Sequence, residues 1–205
     1  MKRSYLTIVP ALLLLLLAGP ALANGGPGTK AVLQANDDIT KLLRKQTKPG
    51  SAAEKALAKQ VAARVGAFLD IDSLGREALK DHWATLSAAQ QEQFMDLLRV
   101  LIEQNYIKGL RANLDYKVSY LGEKTKSGSV VVATEVETTR KGRPYVVSID
   151  YVMKKDGKQL RAVDVITDGV GLVENYRAQF NKIIAKRGFD GLLKRMSKKA
   201  AKLKP

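Results

Sequence analysis

The apolar residues of this chain change their period twice, and that change limits the folds open to it. Through the first half they recur at helical spacing. Near Leu114 they begin to alternate with polar residues, as in half-buried strands. From Leu172 the helical spacing returns. Helices, an antiparallel meander and helices again make an α+β order, which buries its apolar surfaces by laying helices on one face of a curved sheet. We expect about four antiparallel strands in a cone-shaped layout that can enclose an apolar cavity.

Individual elements follow from the same spacing. Val32, Ala35, Ile39, Leu42 and Leu43 predict a helix over 31–45, broken by Thr47-Lys48-Pro49-Gly50. Ser51 with Glu54, and Ser87 with Gln90, have the spacing of capping boxes. The first opens a helix carrying Leu57, Val61, Val65 and Phe68. The second opens the strongest helix, about 88–109, whose apolar face holds Phe94, Leu97, Leu98, Leu101, Ile102 and Tyr106. A short helix from Asp72 to Trp83 is expected between them. Tyr116, Val118 and Tyr120 mark a first strand, and 122–128 reads as a polar loop. Val130, Val132, Thr134 and Val136 mark a second strand. Tyr145, Val147, Ile149, Tyr151 and Met153 form the apolar side of a third. Lys155-Asp156-Gly157-Lys158 is a hairpin turn. Residues 160–166 are apolar on both faces, which predicts a central fourth strand. A helix over 172–186 ends at Gly188, and a short helix with Leu192 and Leu193 follows.

The two ends differ from the body. Lys2 and Arg3 precede an apolar run from Leu6 to Ala18, and Ala21-Leu22-Ala23 supplies small residues before Asn24. That order of parts predicts a secretory signal peptide over 1–23, cleaved after Ala23. The alternative is an uncleaved anchor, but the run falls short of the ~20 residues a spanning helix needs. A flexible leader is expected over 24–30, one domain over 31–196 and a basic tail over 197–205. The chain holds 35 Lys and Arg against 20 Asp and Glu, for a net charge of +15. In a cytosolic protein that would suggest nucleic acid; in an exported one, anionic lipid surfaces are the commoner partner. No nucleic-acid partner is expected, since interleaved surface aromatics are lacking. There are no cysteines, which excludes disulfides, thiolate metal sites, thiol catalysis and lipoprotein acylation. One histidine, His82, makes no metal site and reads as a structural or surface residue beside Trp83.

Two stretches carry a family resemblance: Leu74-Gly75-Arg76-Glu77-Ala78-Leu79-Lys80-Asp81-His82-Trp83 followed by 87–94 (SAAQQEQF), and residues 164–180 (DVITDGVGLVENYRAQF). With Gly188-Phe189-Asp190-Gly191-Leu192-Leu193 they make the chain resemble the MlaC family, or toluene-tolerance periplasmic proteins. These are soluble phospholipid carriers of an ABC-type transport system. The chain departs from the pattern at His82, Ala84 and Gly171, and its basic tail has no counterpart there. The resemblance implies acyl chains in an apolar cavity between sheet and helices, with the headgroup towards solvent. It implies a monomer in the periplasm that docks on an inner-membrane ABC-type complex and an outer-membrane lipoprotein/porin complex. Such a carrier would maintain outer-membrane lipid asymmetry.

A carrier of this kind needs a dry apolar lining, because each CH₂ left in water costs about 0.8 kcal/mol. The inward faces supply one. Val132, Val147, Ile149, Tyr151, Val163 and Val165 come from strands. Leu97, Leu98, Leu101 and Tyr106 come from the long helix, and Val170, Val173 and Tyr176 from the C-terminal helix and its approach. At these spacings the same residues can equally be plain core. Arg177 can meet a phosphate or pair with Asp164, Asp168 or Glu174. No cofactor is expected beyond phospholipid as cargo.

Two rival readings use the same residues. A ketosteroid-isomerase-like enzyme would place an Asp base and a Tyr donor in the pocket. Only Asp150, Asp164 and Asp168 with Tyr145 or Tyr151 are available. Asp150 falls on the opposite face, and the other two sit where carboxylates commonly cap or pair, so no enzyme is expected. An envelope adaptor that binds only proteins differs from a carrier in having no lipid-filled or dry cavity. The clustered Lys194, Arg195, Lys198, Lys199, Lys202 and Lys204 would hold either one near an anionic membrane or an acidic partner.

Overall fold

The computed structural model describes residues 25–48, 50–112, 116–140 and 142–202, with the side chains of 105–112 and 140 outside the description. The expected signal peptide lies outside the described residues. Four helices come first: α1 (Pro27–Leu43), α2 (Ala52–Phe68), α3 (Ile71–Ala78) and α4 (Ala88–Ala112). The meander follows as β1 (Lys117–Lys126), β2 (Ser129–Arg140), β3 (Arg143–Asp156), β4 (Gln159–Thr167) and the short β5 (Val170–Gly171). It is closed by α5 (Leu172–Ala201). The sheet is antiparallel throughout, in the order β1-β2-β3-β4-β5. The α+β architecture is the expected one, with a fifth strand of two residues.

Caps start the helices. Ser51 Oγ accepts from the Glu54 amide at 3.1 Å, and Glu54 Oε2 accepts from the Gly50 amide at 2.7 Å. The Ser87–Gln90 box closes reciprocally, at 3.0 and 3.2 Å. Asp70 caps α3: its carboxylate accepts from the Ser73 amide at 3.1 Å and the Ser73 hydroxyl at 2.7 Å. Burial by itself would raise the Asp70 carboxyl. The two Ser73 bonds, with Arg161 and Arg76 nearby, outweigh that and hold it below the usual carboxylate value.

The leader is not a free segment. Helix α1 begins at Pro27, where a missing N–H costs nothing. Glu123 of β1 accepts from the Thr29 amide at 2.6 Å and the Thr29 hydroxyl at 2.9 Å. A carboxylate there also meets the positive end of the helix dipole. Gly28 permits the approach: a Cβ would lie 2.7 Å from Val130 Cγ1, 2.9 Å from Val132 Cγ2 and 3.0 Å from Glu123 Oε2.

The meander and the tail differ from expectation in three places. Residues 122–126 continue β1, and the turn is Ser127-Gly128, both at positive φ (49° and 75°), as a type I′ hairpin requires. Strand β4 is not central. Beyond two-residue β5, its outer edge is taken by the α2–α3 junction: Leu69 bridges Ala162, the Asp70 amide donates to the Ala162 carbonyl at 2.8 Å, and Arg161 Nη2 donates to the Gly66 and Leu69 carbonyls at 2.8 and 2.7 Å. That junction leaves the β4 edge covered. The basic tail is helical to Ala201, with Met196 and Ala200 buried. Helix α5 breaks its geometry at Gly188 (φ 68°, ψ 176°), the residue expected to stop it.

The core lies between the helices and the inner sheet face. Val32 and Ile39 of α1, Val61 and Val65 of α2, Leu74 of α3, and Phe94 and Leu98 of α4 are buried against Val132, Met153 and Ala162. Phe94 packs edge-on to Phe180 at 5.4 Å and to Trp83 at 6.4 Å, and Tyr176 stacks on Phe180 at 5.3 Å. The two sequence stretches that carry the family resemblance therefore meet in one aromatic cluster that fastens α5 to α3 and α4.

Candidate functional site

Strand register lays out the inner face of the sheet in rows. Val130, Met153 and Ala162 share one row; Val132, Tyr151 and Val165 share the next. Helices cover both, and Val132, Met153 and Ala162 are fully buried. The third row is Tyr120, Thr134 and Ile149, and the fourth is Val118, Val136 and Val147. Thr134 is buried with its hydroxyl donating to the Ile149 carbonyl at 2.7 Å. Ile149, Val118, Val136 and Val147 are half-buried and, among the described residues, stand outside the packed core. An apolar strip of inner sheet face thus runs on past the helical core.

Polar groups rim that strip on the α1 side. The Tyr116 hydroxyl donates to Asn36 Oδ1 at 3.1 Å and lies 2.6 Å from Thr40 Oγ1. Tyr120 bonds to Asn36 as well; burial, with Asp37 and Tyr116 adding to it, keeps its phenol above the usual value, against the bond to Asn36. A groove of about 380 Å³ between α1 and β1 is lined by Lys41, Arg44, Tyr116, Val118 and Tyr120 among others. A second, of about 460 Å³, continues past Arg44 and Tyr116 to Lys117, Thr138 and Pro144. Two cations, the Asp37 carboxylate and two phenols therefore stand beside an apolar surface. Tyr116, Tyr120, Lys41 and Arg44 were not singled out from sequence. The strand alternation marked the tyrosines, and nothing in the spacing linked them to Arg44.

The expected lining residues separate into groups. Val147 and Ile149 lie on the strip. Leu98, Leu101 and Val132 are packed core, at 0, 4 and 0% exposure. Leu97, Val165 and Val173 are half-buried against that core. Tyr151 packs edge-on to Phe68 at 5.6 Å, and Tyr176 belongs to the aromatic cluster. The Tyr106 side chain lies outside the described residues. Val163 does not share an inward face with Val165: a bulge in β4 opposite Val152/Met153 hands the inward position to Ala162. Val170 is 56% exposed on β5, at the sheet edge.

Arg177 meets none of its expected carboxylate partners. Its Nε and Nη2 donate to the Glu77 carbonyl at 3.0 and 2.5 Å, and Nη2 lies 3.3 Å from the Glu77 carboxylate. It ties α5 to the last turn of α3. Asp164 accepts from the Val173 amide at 3.0 Å and so caps α5. Asp168 accepts from the Tyr145 hydroxyl at 3.0 Å and the Ser148 amide at 3.1 Å, in an exposed turn. Both carboxylates have the local duties of turn and cap residues. His82 Nε2 lies 3.0 Å from Asn181 Oδ1, and Asn181 Nδ2 donates to the Asp81 carboxylate at 3.0 Å. Among the described residues no group of three His, Cys, Asp or Glu side chains can hold a metal, and no helix is long and apolar enough to cross a membrane.

This geometry has counterparts in known proteins. A phospholipid-binding protein from Ralstonia solanacearum, solved in complex with a phospholipid, superposes with a TM-score of 0.70 at 25% identity, over 85% of this chain and 97% of that one. An intermembrane phospholipid transport system binding protein, MlaC, from Haemophilus influenzae is 22% identical over 136 residues. That match spans 65% of this chain and 64% of the relative, less than two thirds of its length. The family model for MlaC protein matches residues 33–198, from α1 to near the end of α5, and the chain belongs to the MlaC family.

Proposed function

We propose that this protein is an exported phospholipid carrier. It leaves the cytoplasm on the signal peptide over 1–23, works in the periplasm as a monomer, and moves lipid between an inner-membrane ABC-type complex and an outer-membrane lipoprotein/porin complex. That traffic maintains the lipid asymmetry of the outer membrane. Acyl chains lie on the inner sheet face, and no chemical step is catalysed. The observation that carries the reading is the apolar strip of Ile149, Val118, Val136 and Val147 on the helix-covered side of the sheet. A face of this kind left to water is costly; covered by acyl chains it exchanges one apolar environment for another. The reading gains support from the bound phospholipid of the Ralstonia relative. The phosphate belongs near Lys41, Arg44 and Tyr116, at the rim of the strip, in place of Arg177, which is engaged with Glu77.

The test is native mass spectrometry of the mature protein purified without detergent, with organic extraction and lipid analysis of the same sample. Stoichiometric phospholipid, transferable to acceptor vesicles, is expected. Protein that is empty and takes up no lipid from vesicles would refute the carrier and favour an adaptor.

A further inference from the structure

We infer that the outer face of the last turns of α5 is a docking surface for anionic membrane. Between residues 186 and 202 the only acidic side chain is Asp190. Lys194, Arg195, Lys198, Lys199 and Lys202 are all exposed. At about 100° per residue they occupy roughly 140° of the helix circumference. Leu192, Leu193, Met196 and Ala200 fill the opposite side and are buried. Packing of that apolar side holds the cations in one array. Among the described residues none of the five has an ion pair.

The composition of the face selects the partner. Protein interfaces are depleted in Lys and centred on aromatic, Met and Arg anchors. Here four of the five cations are lysines, and the exposed residues that interrupt them in sequence are Ser197 and Ala201. With no apolar anchor, the helix lies on a headgroup layer rather than in it. A plane of lipid phosphates matches a rigid row of lysines that need charge and little shape. The inference rests on this charge pattern and holds whether or not the protein carries lipid.

Substituting the face tests it. Lys194→Gln, Arg195→Gln, Lys198→Gln and Lys199→Gln combined leave the buried side intact. Lys55→Gln, Lys59→Gln, Lys124→Gln and Lys155→Gln combined remove the same charge elsewhere, at exposed positions. Binding is read at low salt by co-sedimentation with phosphatidylcholine vesicles containing about a quarter phosphatidylglycerol, using lipid-loaded and lipid-stripped protein. Each cation at an anionic surface contributes about fivefold, so the α5 variant should bind several-hundred-fold more weakly and the control close to unaltered protein. Equal losses in the two variants would assign binding to overall charge and overturn the proposal. So would an α5 variant that binds vesicles normally but loses affinity for polyglutamate, since the face would then serve an acidic protein. A second readout is independent of affinity. The chain has no cysteine, so a fluorophore on Lys198→Cys and one on Lys55→Cys each report one site. Headgroup spin labels should quench the first and spare the second; the reverse would overturn the proposal.

Discussion

Truncating Leu98 and Ile149 separately to alanine should divide the inner face into core and lining. Leu98 is fully buried in the helical core; Ile149 is half-buried on the strip beyond it. Leu98→Ala leaves a cavity and should cost about 2.7–5 kcal/mol, lowering Tm by roughly 5–20 °C in a chain of this size. Ile149→Ala removes three carbons that remain partly in water without cargo. It should cost lipid-stripped protein about 1 kcal/mol or less. With acyl chains against it, each lost carbon forfeits about 0.8 kcal/mol of contact, or roughly 2 kcal/mol in all. Lipid retention should then fall about 30-fold. Urea unfolding of stripped protein measures the first quantity, and native mass spectrometry of lipid occupancy during dilution measures the second. The reasoning fails if Ile149→Ala destabilises stripped protein as much as Leu98→Ala does while occupancy is unchanged. The strip would then be ordinary core.

Gly28→Val should drive α1 off the sheet, because its Cβ alone meets Val130, Val132 and Glu123 at 3.0 Å or less; urea unfolding should show a loss of about 1–3 kcal/mol, and unchanged stability would mean that α1 is not docked at its first turn. Asp70 has a folded carboxyl below its unfolded value, so its stabilisation is complete above the unfolded value and lost as pH falls through the folded one. Asp70→Asn should therefore destabilise the protein near neutrality and show a shallower loss between about pH 5 and pH 2; parallel pH curves for the two proteins would refute this. Asp164→Ala should weaken the α5 cap by about 0.5–2 kcal/mol and leave vesicle-to-vesicle lipid transfer within about twofold; abolished turnover of any chemical substrate would instead make Asp164 a catalytic group.

Most of the fold was legible because period and caps are local. Ser51–Glu54 and Ser87–Gln90 announce α2 and α4 in four residues each; the second box closes reciprocally, while in the first Ser51 caps the Glu54 amide and the Glu54 carboxylate reaches one residue further back, to the Gly50 amide. The family, too, was legible from contiguous residues. Yet those residues do not line the strip: Trp83, Phe94, Tyr176 and Phe180 pack α5 onto its neighbours. They are recognisable because an aromatic cluster constrains both partners, whereas an apolar lining asks only for aliphatics of about the right size. The segment at 25–30 misled for a related reason. Its glycines signal mobility unless something presses against them, and Glu123, almost a hundred positions away, cannot be seen from the segment itself.

The strip was partly misassigned because alternation predicts a face only while the ladder stays in register. Strand β1 has a bulge at Leu121, which is 60% exposed, and β4 has one opposite Val152/Met153. Past each bulge the parity reverses. In β4 this exchanges Val163 for Ala162 on the inner face, and apolar residues on both sides of the strand conceal the exchange. In β1 it turns Glu123 inward, where strict alternation from Tyr116 would point it to solvent. That carboxylate then finds the first turn of α1, so the bulge that spoils the pattern also provides the anchor for the N-terminal helix. The inner face is consequently closed at the Glu123 end and apolar at the Val118–Val136–Val147 end. A cargo laid along it as proposed would present its headgroup towards Tyr116 and Arg44.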